Sequence, residues 1–524
     1  MPVRSSVRHS AQRRRRSAHL LAITGVVLAG AGLVGLTPAL ADEASRDVAT
    51  LSPGDDREEN TGTLVISQGR DYGAGDDMFT NKGVLRFAKS ATPLTLAFTS
   101  LERFANDGGL VDLRNERAGD IFSLSGSYAA SGDARLGLDI GASAADRLVV
   151  GGGASGRTGL LLNIAPADAR LLAKGLTVVT VGSSSASNAF YVANPDQGLV
   201  RYAVSYDSAA RAYLLNASAG LAVHQTVRAG EGLATAWRAS ADAFGAEQSM
   251  ARAAGGAASR VWAQAHGGRL DRKSDGASFD LAYDQTTAGG QMGASLGARD
   301  FAGGQAIVGL TGGYVDSRLA FDDSGLRADI ETVNAGVYSA WRRLGFFTTA
   351  LIKADRHHLK LRSPAAGFEA DVDGTSWGGQ MEAGYRIALE GGGFEPLVGL
   401  DYVRSGMDDL EVLGQRVVFD DRGGFSARVG AQGFIRKDLA DNRAVIISLA
   451  VEAVQDLDTD QTGRLVSGGQ TDAVALEGQK TFARTRFVAQ FQTGGGLQAF
   501  VQGEGRFGEN QLGGGVRAGA RYRF

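Results

Sequence analysis

Apolar and polar side chains alternate along the last nine residues of the chain. Apolar residues occupy every second position from Val516 to Phe524, and arginine or glycine fills the positions between them. Successive side chains of a strand point to opposite surfaces. In a transmembrane barrel the apolar set faces lipid, aromatic residues lie at the membrane boundary, and the polar set faces the lumen. The pattern therefore predicts that the chain ends in a lipid-facing strand.

The same alternation recurs upstream and predicts about twelve strands after Ser259, an even number as expected for a bacterial barrel. It is clearest in the sixth strand, where Trp377, Met381 and Tyr385 alternate with Gln380 and Glu382. The predicted strands lie near 259–270, 277–299, 303–319, 328–343, 345–361, 374–389, 393–405, 424–437, 443–457, 480–492, 496–507 and 513–524.

The connections between these strands alternate in length. Short turns are predicted at 301–304, 343–345, 391–393 and 493–495, and longer polar loops at 320–327, 362–373, 406–423 and 458–479. Outer-membrane barrels have short periplasmic turns and longer external loops. The last strand is therefore expected to end on the periplasmic side.

An alanine-rich segment at 232–254 predicts one helix before the barrel. Leu233, Trp237 and Phe244 fall near one stripe, and the glycines at 255 and 256 end the helix. Such a helix is roughly 30–35 Å long, enough to thread a barrel whose apolar band is roughly 25 Å tall. A surface helix packed on a domain is the alternative.

Between Thr63 and Leu215 the chain consists of short β runs separated by Gly, Asn, Asp and Ser. This pattern favours a β-solenoid, with a β-sandwich as the alternative. Tyr202, Tyr206 and Tyr213 fall in two strands that are expected to cap the last turns. The predicted runs are 63–66, 84–87, 110–113, 121–124, 135–138, 147–150, 160–162 and 176–179.

Residues 1–41 have the pattern of an export signal: six arginines, an apolar stretch, and small residues before a cleavage site between Ala41 and Asp42. An uncleaved inner-membrane anchor is the alternative. Removing the signal leaves a net charge of about −9, which argues against nucleic acid as a partner. The chain has no cysteine, so stability must come from hydrogen-bonded sheet without disulfides. We expect passage through the general secretion machinery and cleavage by signal peptidase.

Motifs for catalysis or ligand binding are weak. Gly151, Gly153 and Gly156 have the dinucleotide-fingerprint spacing, but a strand follows them where a helix is required, so we interpret them as a turn. His357 and His358 are adjacent in a predicted strand, point to opposite faces and cannot share a metal, so we expect them at a loop edge or membrane boundary. We therefore expect no catalytic residue, cofactor or metal site.

Several segments together resemble the autotransporter family of type V secretion. In the predicted barrel they are 261–269, 308–314, 335–338, 381–386 and 521–524; before it they are 119–128 and 145–150, which look like the last turns of such proteins' β-helical stalks. The resemblance implies an all-β fold: a twelve-stranded transmembrane β-barrel threaded by one α-helix and preceded by a short β-solenoid passenger. The implied domains are a signal peptide at 1–41, a passenger at 42–230, a helical linker at 231–256 and a barrel at 257–524.

The resemblance also implies function. The barrel is expected to lie in outer-membrane lipid and to display the passenger on the cell surface, with adhesion as one role and an unspecified ligand. The barrel-assembly machinery is expected to recognise Tyr522 and Phe524. The helix lacks the Asn that self-cleaving members use there, and no Gly-Asp-Ser motif marks a lipolytic passenger. The alternative function is a porin-like channel with a periplasmic N-terminal region.

Overall fold

The computed structural model describes residues 54–255, 259–274, 279–295, 299–322, 325–457, 460–478 and 480–524. The predicted signal segment, with Ala41 and Asp42, lies outside the described residues. Among the described helices, none has both the length and the hydropathy needed to cross a bilayer.

The N-terminal half is a solenoid of three parallel sheets, which confirms the solenoid prediction over the sandwich. The first sheet contains β1 (Arg57–Asn60), β4 (Met78–Asn81), β7 (Arg103–Asp107), β10 (Ser127–Ser131) and β13 (Ala154–Ser155). The second contains β2 (Thr63–Ile66), β5 (Val84–Phe87), β8 (Leu110–Asp112), β11 (Arg135–Ile140), β14 (Thr158–Ile164) and β16 (Phe190–Val192). The third contains β3 (Arg70–Asp71), β6 (Thr95–Thr99), β9 (Ile121–Leu124), β12 (Arg147–Val150) and β15 (Leu176–Val181), and continues antiparallel with β19 (Ala212–Ala219), β18 (Val200–Asp207) and β17 (Asp196–Gln197).

Like residues stack inside the solenoid from one turn to the next. Phe79, Phe104 and Tyr128 form a column of stacked rings with centroids 5.3 and 5.9 Å apart. Beside them, Asn81 accepts a hydrogen bond from Asn60 at 2.8 Å. The hairpin of β18 and β19 covers the end of this core, as the aromatic pattern predicts, and Tyr202 and Tyr213 are fully buried there.

The C-terminal half is a closed antiparallel barrel of twelve strands, as predicted. Its strands are β20 (Arg260–Arg272), β21 (Tyr283–Ser295), β23 (Gly304–Phe321), β24 (Arg327–Arg343), β25 (Phe346–Ser363), β26 (Phe368–Tyr385), β28 (Gly392–Met407), β31 (Arg422–Leu439), β32 (Arg443–Leu457), β35 (Thr481–Gln492), β36 (Leu497–Gly508) and β37 (Gln511–Arg523). Pairing of β20 with β37 closes the barrel. Two short strands, β22 (Arg299–Phe301) and β27 (Ile387–Leu389), extend the edge of the barrel that carries the short turns.

Two helices connect the halves, where the sequence predicts one. The first, α1 (Leu221–Ala229), was not predicted, and α2 (Glu231–Ala253) agrees with the predicted helix within one residue. Val223, Thr226 and Val227 are β-branched residues with modest helix propensity. Packing against the barrel's external end overrides that propensity, since all three are buried.

Two of the predicted external loops contain a separate four-stranded sheet, called here the external sheet. It consists of β29 (Leu410–Val412), β30 (Gln415–Phe419), β33 (Gln461–Ser467) and β34 (Gln470–Leu476). The predicted loop at 362–373 is wrong, because only residues 364–367 separate β25 from β26. Charged outward pairs such as Arg362 with Glu369 make this stretch polar although it is strand.

Candidate functional site

The barrel lumen is the candidate functional site because α2 runs through it. At 23 residues, α2 is about 35 Å long and crosses the whole apolar band of the barrel. Trp237 and Phe244 are fully buried against the wall, and the Phe244 ring lies 4.8 Å from that of Tyr338. Small residues fill most other positions, so the helix fits inside a barrel of this size.

Glycine on the inner wall makes room for the widest side chain of the helix. A Cβ atom at Gly378 would lie 3.0 Å from the Trp237 ring and 2.1 Å from the carbonyl oxygen of Tyr402. A larger residue at position 378 would therefore displace either the helix or the neighbouring strand. Close packing of the helix in the lumen thus requires glycine at position 378, beside the lipid-facing Trp377.

In the middle of the lumen, Asp242 of α2 binds arginines of the wall. Its two carboxylate oxygens accept hydrogen bonds from Arg484 at 2.8 Å and Arg506 at 3.1 Å. Arg484 also pairs with Glu452, which in turn pairs with Arg486. Removing charges from water is costly unless they are paired and hydrogen-bonded, and this network supplies such partners for the helix carboxylate.

A second charge cluster fixes the periplasmic end of the helix. Arg252 donates to Glu382 at 2.9 Å and to Glu395 at 3.3 Å, and its guanidinium lies 3.9 Å from the centre of the Phe347 ring. Arg386 also pairs with Glu395. The sequence predicts that Glu382 and Arg386 face the lumen, and the structure brings both into this cluster around Arg252.

One turn earlier, Glu247 of the helix binds the seam where the barrel closes. Arg260 of β20 lies 3.0 Å and Arg521 of β37 lies 3.5 Å from its carboxylate. These partners were not predicted from the sequence. Arginine at inward positions of the first and last strands was the available signal, but the register that brings them beside Glu247 is not readable from the sequence.

The predicted assembly-signal residues lie at the periplasmic edge. Tyr522 and Phe524 are exposed on the lipid side, with 47% and 70% of their surfaces accessible, and their rings stack at 6.5 Å. The Phe524 amide donates to the Ser259 carbonyl at 3.2 Å. Since Phe524 buries little surface, its recognition by the assembly machinery stays a prediction.

The histidine pair has opposite orientations, as predicted. His357 is buried in the lumen within 2.8 Å of both Thr332 and Ser376, whereas His358 faces outward beside Asp373 at 2.9 Å. His357 therefore lies in an internal hydrogen-bond network, and its expected position at a loop edge or membrane boundary is wrong. No group of three or more potential metal ligands occurs among the described residues.

At the end of the barrel opposite the short turns, the solenoid is bound to the barrel's own loops. The Ala219 amide donates a hydrogen bond to Asp472 of the external sheet at 2.7 Å. Gln415 of the same sheet donates a hydrogen bond to the Ala169 carbonyl at 2.7 Å. Arg228 of α1 donates to the Glu477 carbonyl at 2.7 Å. The solenoid is thus held by a folded surface in addition to the covalent link.

Comparison with known proteins identifies the barrel. The sequence model of the autotransporter beta-domain family matches residues 261–504. A search of curated protein sequences finds no significant match.

Similar solved structures include three autotransporter domains. The β-domain of the Bordetella autotransporter BrkA is 19% identical, with a TM-score of 0.41, and the match covers 51% of this chain and 100% of that one. The transport unit of AIDA-I from Escherichia coli is 15% identical (TM-score 0.40; 50% and 90% covered). The translocator domain of NalP from Neisseria meningitidis is 16% identical (TM-score 0.41; 57% and 99% covered).

The family match covers most of a closed barrel whose exterior is apolar and whose lumen is charged, so the barrel lies in the outer membrane. Residues 261–504 of this chain therefore form an autotransporter β-domain.

Proposed function

We propose that the barrel carries residues 42–220 across the outer membrane and then holds them on the cell surface. The observation that carries this proposal is α2 inside a closed lumen, with the solenoid at the end of the barrel opposite the short turns. A chain threaded in this way has its folded solenoid at one end of the pore and enters the first barrel strand, β20, from the other end. Passage of residues 42–220 through the lumen in the unfolded state, followed by folding outside, accounts for that arrangement.

The porin-like alternative is less well supported. A channel needs an open lumen, and the ion pairs of Asp242, Glu247 and Arg252 hold α2 against the wall along its length. We propose that the helix closes the pore after export. The proposed role is transport and display, without a catalytic step.

The remaining partners belong to the same proposal. Secretion machinery and signal peptidase would act on residues 1–41, with cleavage between Ala41 and Asp42, and the barrel-assembly machinery would act on the final strand. We further propose that display serves adhesion, through the outward surface of the solenoid.

Protease treatment of intact cells tests the location. Epitopes placed in exposed solenoid turns, at Gly132 or at Ala209, should be removed, while the barrel remains protected. An epitope in the periplasmic turn at Asn442 is the matched control and should be cleaved only after the outer membrane is permeabilised. Protection of the solenoid epitopes in intact cells would contradict the proposal and support a periplasmic N-terminal region.

A further inference from the structure

The outward face of the second sheet carries one arginine for each of four successive solenoid turns. Arg86 and Arg135 project from β5 and β11, Arg114 follows β8, and Arg157 precedes β14. Parallel strands repeat about every 4.8 Å, and the pairing register places Arg86 level with Asp112 but Arg135 level with Leu110. These cations therefore follow one another from turn to turn in an oblique row across the face. The rest of the mature chain is acidic.

Glycine in the neighbouring turn lets two of these guanidinium groups lie close to the sheet. A Cβ atom at Gly137 would lie 2.5 Å from Nε of Arg114, and one at Gly159 would lie 2.2 Å from Nη1 of Arg135. The two side chains therefore cover glycine backbone.

The row ends at an aromatic ring. Nη1 of Arg135 donates to the Tyr191 hydroxyl at 3.1 Å, and the Arg157 guanidinium lies 4.8 Å from the ring centre. Arg157 is exposed, and within the described part of the chain no carboxylate lies within ion-pair distance of it. A cation with neighbouring aromatic surface and no internal partner is suited to an external anion.

Carboxylates neutralise only part of the row. Asp112 pairs with Arg114 at 2.6 Å and lies 3.7 Å from Arg86, and Asp133 pairs with Arg135. Asp139, at the border of the face, is buried and accepts hydrogen bonds from Asn163 and from two backbone amides. The face keeps a net positive charge at the Arg157 end.

We propose that this face binds a linear polyuronate, an acidic polysaccharide with one carboxylate on each sugar. Guanidinium groups bind carboxylates in a bidentate geometry, and a chain with one carboxylate on each sugar can contact several arginines of the row in succession. The Tyr191 ring supplies an apolar edge for a sugar face. The biological setting rests on the proposed surface location, but binding itself does not.

Binding is measured with purified full-length protein in detergent and defined polygalacturonate oligomers, with dextran as the uncharged probe. We expect saturable, salt-sensitive binding of polygalacturonate and none of dextran. Arg157→Glu should weaken the affinity at least about tenfold, equivalent to roughly 1.4 kcal/mol. Arg147→Glu is the matched control: Arg147 is exposed on the third sheet, and we expect less than about twofold change, as for a charge remote from the bound carboxylates.

Other outcomes overturn the proposal. Equal loss for both variants would show non-specific charge attraction, and equal binding of poly-aspartate would indicate an acidic peptide as the partner. Binding of heparin without polygalacturonate would assign the face to sulfate groups. Because the assay needs no cells, its failure leaves the display proposal intact, and failure of display leaves the binding result intact.

Discussion

At the scale of single residues, Arg252 links the periplasmic end of the helix to Glu382, Glu395 and Phe347 of the barrel wall. We expect Arg252→Ala to lower the free energy of unfolding in detergent by about 2–3 kcal/mol, below the 3–5 kcal/mol of a fully broken buried pair. The loss is partial because, in the variant, Glu382 still pairs with Arg428 and Glu395 still pairs with Arg386. The measurement is the denaturant unfolding midpoint.

Arg269→Ala is the control for this variant. Arg269 pairs with Asp271 and Asp284 on the exposed outer surface, and such pairs contribute about 0–1 kcal/mol. Equal effects of the two substitutions would mean that the lumen cluster does not stabilise the helix.

Phe524 is predicted to serve assembly more than stability. As a mostly exposed side chain, it contributes only part of the roughly 1.5–3 kcal/mol of a fully buried one. Phe524→Ser should therefore leave the unfolding midpoint of refolded barrel nearly unchanged and strongly lower the amount of heat-modifiable barrel in cells. Leu439→Ser, at another exposed periplasmic strand end, is the control. Small and similar losses for both variants would show that Phe524 is an ordinary boundary residue.

We expect Asp146 to make the stability of the solenoid depend on pH. Burial raises its pKa to about 7, and the carboxylates of Asp120 and Asp139 add to the effect. The folded state thus binds a proton that the unfolded state has released above pH 4, so stability falls as pH rises from about 4 to 7. We expect the solenoid of the intact protein to resist protease better at pH 5 than at pH 8. Asp146→Asn should flatten this profile, and an unchanged slope would assign the titration elsewhere.

At the scale of secondary-structure elements, the alternation of apolar and polar residues was sufficient to predict the barrel strands. A period of two with one lipid-exposed face is a strong signal, so Trp377 and Met381 point outward as predicted, and Gln380 and Glu382 point inward. Most solenoid strands of the second and third sheets were also predictable, because they are short apolar runs between turn residues. The strands of the first sheet, such as the polar β1 (Arg57–Asn60), were not predicted. Both signals are local, and neither depends on what the strand packs against.

Elements formed by distant packing were not predictable. The external sheet is made of polar hairpins from two loops, paired through residues such as Val417 and Leu465. α1 depends on burial against the same region. In the lumen, the inward charges were visible in the sequence, but pairing Asp242 with Arg484 requires the axial position of a helix relative to a strand 242 residues away.

The composition of α2 leads to a prediction about processing. The helix contains no Asn. By the family resemblance, cleavage inside the barrel requires an Asn in this helix, so the residue for that cleavage is missing. We expect passenger and barrel to migrate as one chain of mature length in a strain without surface proteases. Ala243→Asn, at a buried position of α2, is a comparison variant that restores the residue type. A wild-type fragment with an N-terminus inside α2 would contradict the prediction.

At the scale of the whole molecule, the passenger has two attachments of different kinds. The helix links it covalently through the lumen, and the external sheet contacts the last solenoid turns through Ser467, Asp472 and Gln415. A single helical connection would leave the solenoid free to pivot near Gly220. The second attachment restricts that motion, so the orientation of the solenoid depends on the external sheet.

Asp472 tests this dependence. Its carboxylate accepts the Ala219 amide immediately before α1, and a hydrogen bond to a charged group contributes about 1.5–3 kcal/mol. We expect Asp472→Asn to raise the rate of protease cleavage near Gly220 about tenfold, since each 1.4 kcal/mol of local opening changes the open population tenfold. Asp409→Asn is the control, because Asp409 pairs with Arg416, which lies in the same loop as Asp409. The barrel's own unfolding midpoint should stay constant in both variants. Unchanged cleavage in Asp472→Asn would mean that the solenoid is held by the apolar contacts of the external sheet alone.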